Sequence, residues 1–323
     1  MRKNVAVVAG GYSAESEISL KSAATVMESI DRNRYSPILV EINSKEWFAR
    51  LGNSNFPIDK NEFSFNFDGE LVFFDYAFIV VHGTPGEDGK LQAYFDLLNI
   101  PYSSPNHIGA TLTFNKWYCN TLLNQLGFAT ASSIYLRHND SYLAEDIIAK
   151  LGIPCFVKPC SAGSSYGVTK VKDMSGLHIA IQKAFEFDRE IMIESLLDGI
   201  ELTCGVYKDM EGVKALPITQ IIPKGEFFDY AAKYEGDSQE ITPARIPDEA
   251  YQSVQHISEE IYSKLDLQGL VRIDLMLVGE KAFIIEINAV PGLSKESIIP
   301  QQLQTAKISL GHFFNTLIDA TLK

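Results

Sequence analysis

Two apolar segments near the C-terminal end, LVRIDLML (270–277) and FIIEINAV (283–290), constrain this chain more than any other feature. Each reads as a strand, yet each carries polar side chains at alternate positions: Arg272 and Asp274 in the first, Glu286 and Asn288 in the second. Residues i and i+2 of a strand point to one face, so each pair projects together from an element otherwise suited to a core. If the two strands pair, one surface gathers Asp274, Glu286 and Asn288, oxygen ligands of the kind that hold Mg2+ beside nucleotide phosphates. A solvated face accounts for one such pair, but two pairs in strands this apolar favour the metal reading.

The rest of the chain bounds what such a site serves. With 323 residues, 46% of them hydrophobic, the chain can bury a large interior and fill two or three domains. Its 28 basic and 41 acidic residues give a net charge of -13, which argues against a nucleic-acid or anionic-membrane partner. A local Lys and Gly site for a phosphate-bearing small molecule is still compatible with that sign. The opening MRKNVAVVAGGYSAESE reads as a buried first strand rather than a signal peptide, and no window reaches the apolar length of a membrane span. Cys119, Cys155, Cys160 and Cys204 form no CxxC and have no His at ligand spacing, so they are expected to be reduced, mostly buried thiols of a cytoplasmic protein.

The first hundred residues alternate strands (NVAVVAGG, SPILVEI, YAFIVVHG) with helices (SLKSAATVMESI, KLQAYFDLLNI), the pattern of a parallel sheet with crossover helices. Its glycine turns, GGYSAES and HGTPGEDG, fall at strand carboxyl ends, where ligands bind in such sheets. After PYSSP, the segment NKWYCNTLLNQLG predicts an amphipathic helix closed by Gly127. PCFVKP, SAGSSYG and YGVTKVKD predict a hairpin with a small-residue tip, not the strand-loop-helix of a P-loop. From EIMIESLL onward, mainly antiparallel strands are expected, with helices around 249–264 and 300–321. The small-residue tip lets backbone N–H groups approach phosphate oxygens, and Lys158 on the preceding strand supplies a point charge for the same anion.

In order along the chain stand GGYSAESEISL, HGTPGEDGKLQ, Asn115-Lys116, FVKPCSAGSSYGV, MIESLLDGIEL, FFDYAAKY, VRIDLML and EINAVPGLSKES. In these motifs and their order the chain resembles, nearly end to end, the D-alanine–D-alanine ligases of the ATP-grasp superfamily. The resemblance implies an α/β protein of three domains: an N-terminal parallel-sheet domain over 1–104, a central ATP-grasp domain over 105–194, and a C-terminal ATP-grasp domain over 195–323, the last two clamping ATP. It also implies ATP and D-alanine as substrates, two Mg2+ or Mn2+ ions per site, and a homodimer.

By the same resemblance, Lys116 and Lys158 reach the phosphates, Ser165 and Lys233 also belong to the ATP site with Lys233 near the transferred phosphate and the second substrate's carboxylate, Glu194 and Leu197 contact adenine, and Glu201 takes the ribose. Asp274, Glu286 and Asn288 correspond to the metal ligands, in agreement with the spacing argument. Glu15 corresponds to the acid facing the first D-alanine's ammonium group, and Ser164 and Tyr234 complete a triad with it. Arg272 and the Gly292 amide correspond to the oxyanion donors, His82 lies near the first substrate, and Ser297 near the second. FFDYAAKYEGD, with Phe227, Phe228 and Tyr230, would form a lid that keeps water from an acylphosphate.

Departures from the family pattern are Asn115 for an Asp, Pro85 for a Gly, Ser16 for His or Arg, and AVPGLSKES for TxPGMTxxS. The implied reaction is ATP-dependent formation of D-alanyl-D-alanine through D-alanyl phosphate, for peptidoglycan precursors. The alternatives are a ligase that takes D-lactate or another second substrate, which Tyr234 argues against, and a non-catalytic nucleotide-binding regulator, which the retained Asp274, Glu286, Asn288 and Arg272 argue against.

Overall fold

The segment Val5–Ala9 is entirely apolar, and in the structure it is entirely buried. The structure is a computed structural model, and it describes residues 2–163, 165–223 and 238–322. β1 (Lys3–Gly10) is followed by α1 (Ser16–Ser29), β2 (Tyr35–Ile42), β3 (Trp47–Leu51), β4 (Ser54–Pro57), the hairpin of β5 (Ser64–Phe67) and β6 (Glu70–Phe73), β7 (Tyr76–Ile79) and α2 (Lys90–Leu98). The main sheet has the order β4-β3-β2-β1-β7. β1 pairs in parallel with both β2 and β7, so the loops leaving β1 and β7 diverge at a shared carboxyl edge.

The expected parallel sheet is therefore a mixed one. β3 and β4 add an antiparallel edge to it, and WFARLGNSNFP carried the signal, an apolar run reversing at a Gly-Asn pair.

The central portion runs α3 (His107–Phe114), α4 (Lys116–Gln125), β8 (Ser133–Arg137), α5 (Ala144–Leu151), β9 (Cys155–Pro159), β10 (Thr169–Val171), α6 (Met174–Phe185) and β11 (Glu190–Ser195). The four strands form an antiparallel sheet, β10-β9-β11-β8, whose core draws on Ile147 and Leu151 of α5 and Leu177 and Ile181 of α6. The predicted hairpin β9-β10 is present.

The last portion contains β12 (Ile200–Lys208), β13 (Val213–Ala215), β14 (Thr219–Pro223), β15 (Ser238–Ile241), α7 (Asp248–Lys264), β16 (Leu270–Val278) and β17 (Lys281–Asn288). These strands form an antiparallel sheet, β15-β14-β12-β16-β17, with β13 on β12, and α7 covers one face through Val254, Ile261 and Tyr262.

One helix was expected over 300–321, but two are found: α8 (Ile298–Thr305) and α9 (Leu310–Thr321). Lys307 takes a left-handed φ of 60° between them, and Ser309 caps α9 by accepting from the His312 N–H. α9 packs Phe313, Phe314, Leu317 and Ile318 against Val5 and Val7 of the N-terminal sheet, and Arg34 forks onto Asp319 at 2.6 and 3.0 Å. The two chain ends thus share one core. Among the described residues, no helix is long and apolar enough to cross a membrane.

Candidate active site

A cleft of about 900 Å³ lies between the sheet of β8–β11 and the sheet of β12–β17. Lys116, Lys158, Ser165, Glu194, Leu197 and Glu201 all line it, joined by Asp274 and Glu286 from the far sheet.

Lys116 is set by the start of α4. Asn115 accepts from the Trp117 and Tyr118 N–H groups at 3.1 and 3.2 Å and donates its amide to Ser161 Oγ and Glu190 Oε2 at 3.1 and 3.2 Å. An Asp at position 115 would cap equally well, but it has no proton for Glu190 and would set two carboxylates side by side. The departure at this position thus fits its surroundings. Lys116 itself donates to the Ala162 carbonyl at 2.9 Å and stands 3.3 Å from Glu286 Oε2.

Lys158 pairs with Glu194 from the neighbouring strand, and Asn120 donates to the other Glu194 oxygen at 3.0 Å. Phe156, on the same face of β9 as Lys158, and Met276, on the same face of β16 as Asp274, give the cleft apolar walls. Neither was singled out from sequence, although period-two counting from Lys158 and Asp274 would have found both.

β16 and β17 pair with Arg272 opposite Asn288 and Asp274 opposite Glu286, so the expected convergence occurs. It depends on a bulge: after Asp274 the register jumps so that Leu275 faces Ile284, leaving Ile285 unpaired. Ala282 and Ile284 point into the core, and without the bulge Glu286 would follow them. With it, Ile285 and Glu286 both line the cleft.

Asp274 is held by four donor atoms: Thr203 Oγ1 at 2.5 Å, Arg272 Nε and Nη2 at 2.9 and 2.8 Å, and Asn288 Nδ2 at 3.0 Å. Among the described residues, no three His, Cys, Asp or Glu side chains come together closely enough to hold a metal by themselves. The candidate set is two carboxylates and an amide oxygen, too few for a hard cation's shell. It suits an ion that takes further oxygens from phosphates and water.

The residues expected at the amino acids come from loops. Glu15, buried at the start of α1, lies between two glycine turns: a Cβ at Gly163 would stand 3.0 Å from Glu15 Oε2, and one at Gly83 3.3 Å from it. Ser13 donates to the His82 carbonyl at 3.0 Å and accepts from the Glu15 N–H at 3.2 Å, tying the two turns together. Glu15 lines a broader cleft of about 1370 Å³ that adjoins the first at Ala162 and Tyr166.

A smaller cavity of about 360 Å³ is lined by Glu87, Lys116, Glu286 and Asn288. Glu87 was missed from sequence, although an acid inside HGTPGEDG was its signal. It accepts from the Gly83 N–H at 2.8 Å, and burial, followed by the nearby Glu15 charge, pushes its carboxyl up to about 8. His82 is driven the other way, below its ordinary value, by burial. Gly292 precedes Ser297, the N-cap residue of α8, whose hydroxyl lies 2.9 Å from that of Ser294. Ser164, Lys233, Tyr234 and the FFDYAAKYEGD segment lie outside the described residues.

The N-terminal and C-terminal family models described as D-ala D-ala ligase match residues 4–105 and 121–320. A D-alanine–D-alanine ligase of Phocaeicola vulgatus is 46% identical over 321 residues, covering 99% of both chains. The chain belongs to the D-ala D-ala ligase family. Among solved structures, the VanG D-Ala:D-Ser ligase from Enterococcus faecalis superposes with a TM-score of 0.89 at 30% identity, covering 99% of each chain. The Bacillus anthracis D-alanine–D-alanine ligase complexed with ATP gives 0.79 at 26% identity, covering 99% of this chain and 97% of that one. Family membership carries with it the ATP-grasp fold, use of ATP and a divalent metal, and a place in peptidoglycan synthesis.

Proposed function

We infer that the protein joins two molecules of D-alanine, converting ATP to ADP and phosphate, to supply D-alanyl-D-alanine for peptidoglycan precursors. The observation that carries the reading is the bulged β16-β17 register, which gathers Asp274, Glu286 and Asn288 on one surface and brings Glu286 beside Lys116 at the cleft between the two sheets.

A carboxylate repels nucleophiles and must be activated before an amine attacks it. The first D-alanine, its ammonium group on Glu15, attacks the γ-phosphorus of ATP through its carboxylate and yields D-alanyl phosphate and ADP. Lys116 and Lys158 offset charge on the phosphates while Phe156 and Met276 flank the base; catalysis of this step is positioning and charge neutralisation. Asp274, Glu286 and Asn288 would hold two Mg2+ or Mn2+ ions, which supply further charge neutralisation at the phosphate oxygens. The amine of the second D-alanine, near Ser297, attacks the acyl carbon, and the oxyanion is met by Arg272 and the Gly292 N–H. Collapse expels phosphate. His82 flanks the first substrate.

We assign domains to 1–104, 105–194 and 195–323, a homodimeric assembly and a cytoplasmic location. A second reading, ligation of D-serine as the second substrate, is favoured by the likeness to the VanG structure. Phosphate release from ATP and Mg2+ with D-alanine, L-alanine, D-alanine plus D-serine, and D-alanine plus D-lactate, with products identified by mass, tests both. A D-alanyl-D-alanine mass is expected from D-alanine alone. Turnover restricted to a mixed pair would replace the substrate assignment, and no turnover with any pair would return the regulator.

A further inference from the structure

The turn carrying Gly292 is anchored from α1. Val290 is buried on one face of the N-terminal sheet and Leu293 in the core that α1 forms on the other, so Pro291 and Gly292 arch over the sheet's carboxyl edge. Two polar contacts fix the ends of that arch. His82 Nδ1 lies 3.0 Å from the Val290 carbonyl, and the Leu293 N–H donates to Ser22 Oγ at 3.1 Å. A carbonyl only accepts, so Nδ1 carries the proton. With the imidazole kept neutral by burial, Nε2 is an acceptor, and the Ser22 hydroxyl, fully buried and 3.5 Å away, donates to it.

One continuous chain results: Leu293 N–H to Ser22, Ser22 to His82, His82 to Val290. Both ends of the Gly292 turn are thereby clamped to the helix that opens just after Glu15. The arch has little slack, since a Cβ at Gly292 would stand 2.9 Å from Ser297 Oγ.

We infer that Ser22 is a positioning residue for the second half-reaction: its hydroxyl joins His82 to the Leu293 amide and so holds the Gly292 N–H where the oxyanion of the acyl carbon forms. This rests on the ligase reading above. Ser22 lines neither the cleft with Lys158 and Asp274 nor the cavity with Glu286 and Asn288, so its loss falls on capture of the acylphosphate and not on its formation. Acylphosphate that is not captured by the amine is lost to water.

The test is Ser22→Ala, measured for dipeptide formation, ADP formation and D-alanine-dependent oxygen-isotope scrambling in ATP, which reports the first step alone. Expected are a loss of dipeptide kcat of about tenfold or more, as displacement of an oxyanion donor requires; scrambling and the KM for ATP within about threefold of the parent; and ADP exceeding dipeptide. Ser22→Thr, which keeps the hydroxyl, should return the ADP-to-dipeptide ratio toward unity. Should Ser22→Ala not fold, Ser22→Cys removes most of the hydrogen bonding at nearly the same volume. A ratio that stays at unity overturns the inference, whether rates are unchanged or both steps fall together. Failure of the ligase reading shows separately, as absence of D-alanine-dependent turnover in the parent enzyme.

Discussion

The nucleotide side and the amino-acid side of the site are held together by different means. On the nucleotide side, side chains project from regular elements and charges are set by opposite charges: Lys158 with Glu194, Lys116 with Glu286, Arg272 with Asp274. On the amino-acid side, loops from β1, β7 and β17 meet through hydroxyls and backbone groups, and burial biases His82 and Glu87 toward their neutral forms. The first arrangement keeps buried charge tolerable before phosphates arrive. The second keeps fixed charge low around a zwitterion's reacting carboxylate. The nucleotide side should therefore respond to deletion of charge, and the amino-acid side to deletion of hydroxyls or a change of pH.

The sharpest way to break this contrast is Glu286→Gln. It removes metal-directed charge and no core volume, so turnover should fall on the order of 10³-fold with the melting temperature nearly unchanged. Near-normal steady-state kinetics would sink the metal assignment. Lys158→Met comes next, with a loss in kcat/KM for ATP of about a hundredfold and a stability cost of about 3 kcal/mol, because Glu194 is left buried with a charge and no cation. Adding Glu194→Gln should recover much of the stability in a denaturation curve and none of the ATP kinetics. Recovery of both would mean that the pair is structural. Phe156→Ala is milder: apolar wall is lost equally in ground and transition states, so KM for ATP should rise about tenfold with kcat nearly constant. A fall in kcat alone would move Phe156 out of the base pocket.

What could be read from the sequence follows the same division. Strand-borne residues obey period two, so the sequence alone predicts Asp274, Glu286 and Asn288 on one surface and Lys158 on a hairpin strand. Even there the count was incomplete, because the expectation assumed an unbroken strand, whereas Glu286 reaches the cleft only through the bulge at Ile285. Nothing in FIIEIN marks that bulge, which arises from the pairing with β16. Loop-borne groups leave no period. Ser22 reads as one more small residue of an amphipathic helix, and its partner Leu293 is 271 positions away. The split of 300–321 into α8 and α9 was legible in part, since Ser309 is an N-cap type. The left-handed Lys307 before it was not.

Glu87 separates the two sides by titration and carries the smallest expected effect on turnover near neutral pH. Its carboxyl is ordinarily half-ionised near 4.5 and in the fold is pushed up to about 8, by burial first. The folded state therefore holds a proton that the unfolded chain gives up at lower pH. The stability linked to this proton is complete below about 4.5 and is lost as pH rises through about 8. Glu87→Gln keeps an oxygen for the Gly83 N–H and has nothing to ionise, so it lacks this dependence. Urea denaturation in the presence of chelator, at intervals from pH 5 to pH 9, should show the variant gaining on the parent up to about pH 8 and then levelling off, with a total gain of about 2 kcal/mol or more. The direction decides the point. A constant difference would mean that Glu87 is ionised in the fold, and the amino-acid side would then be held by charge in the manner of the nucleotide side.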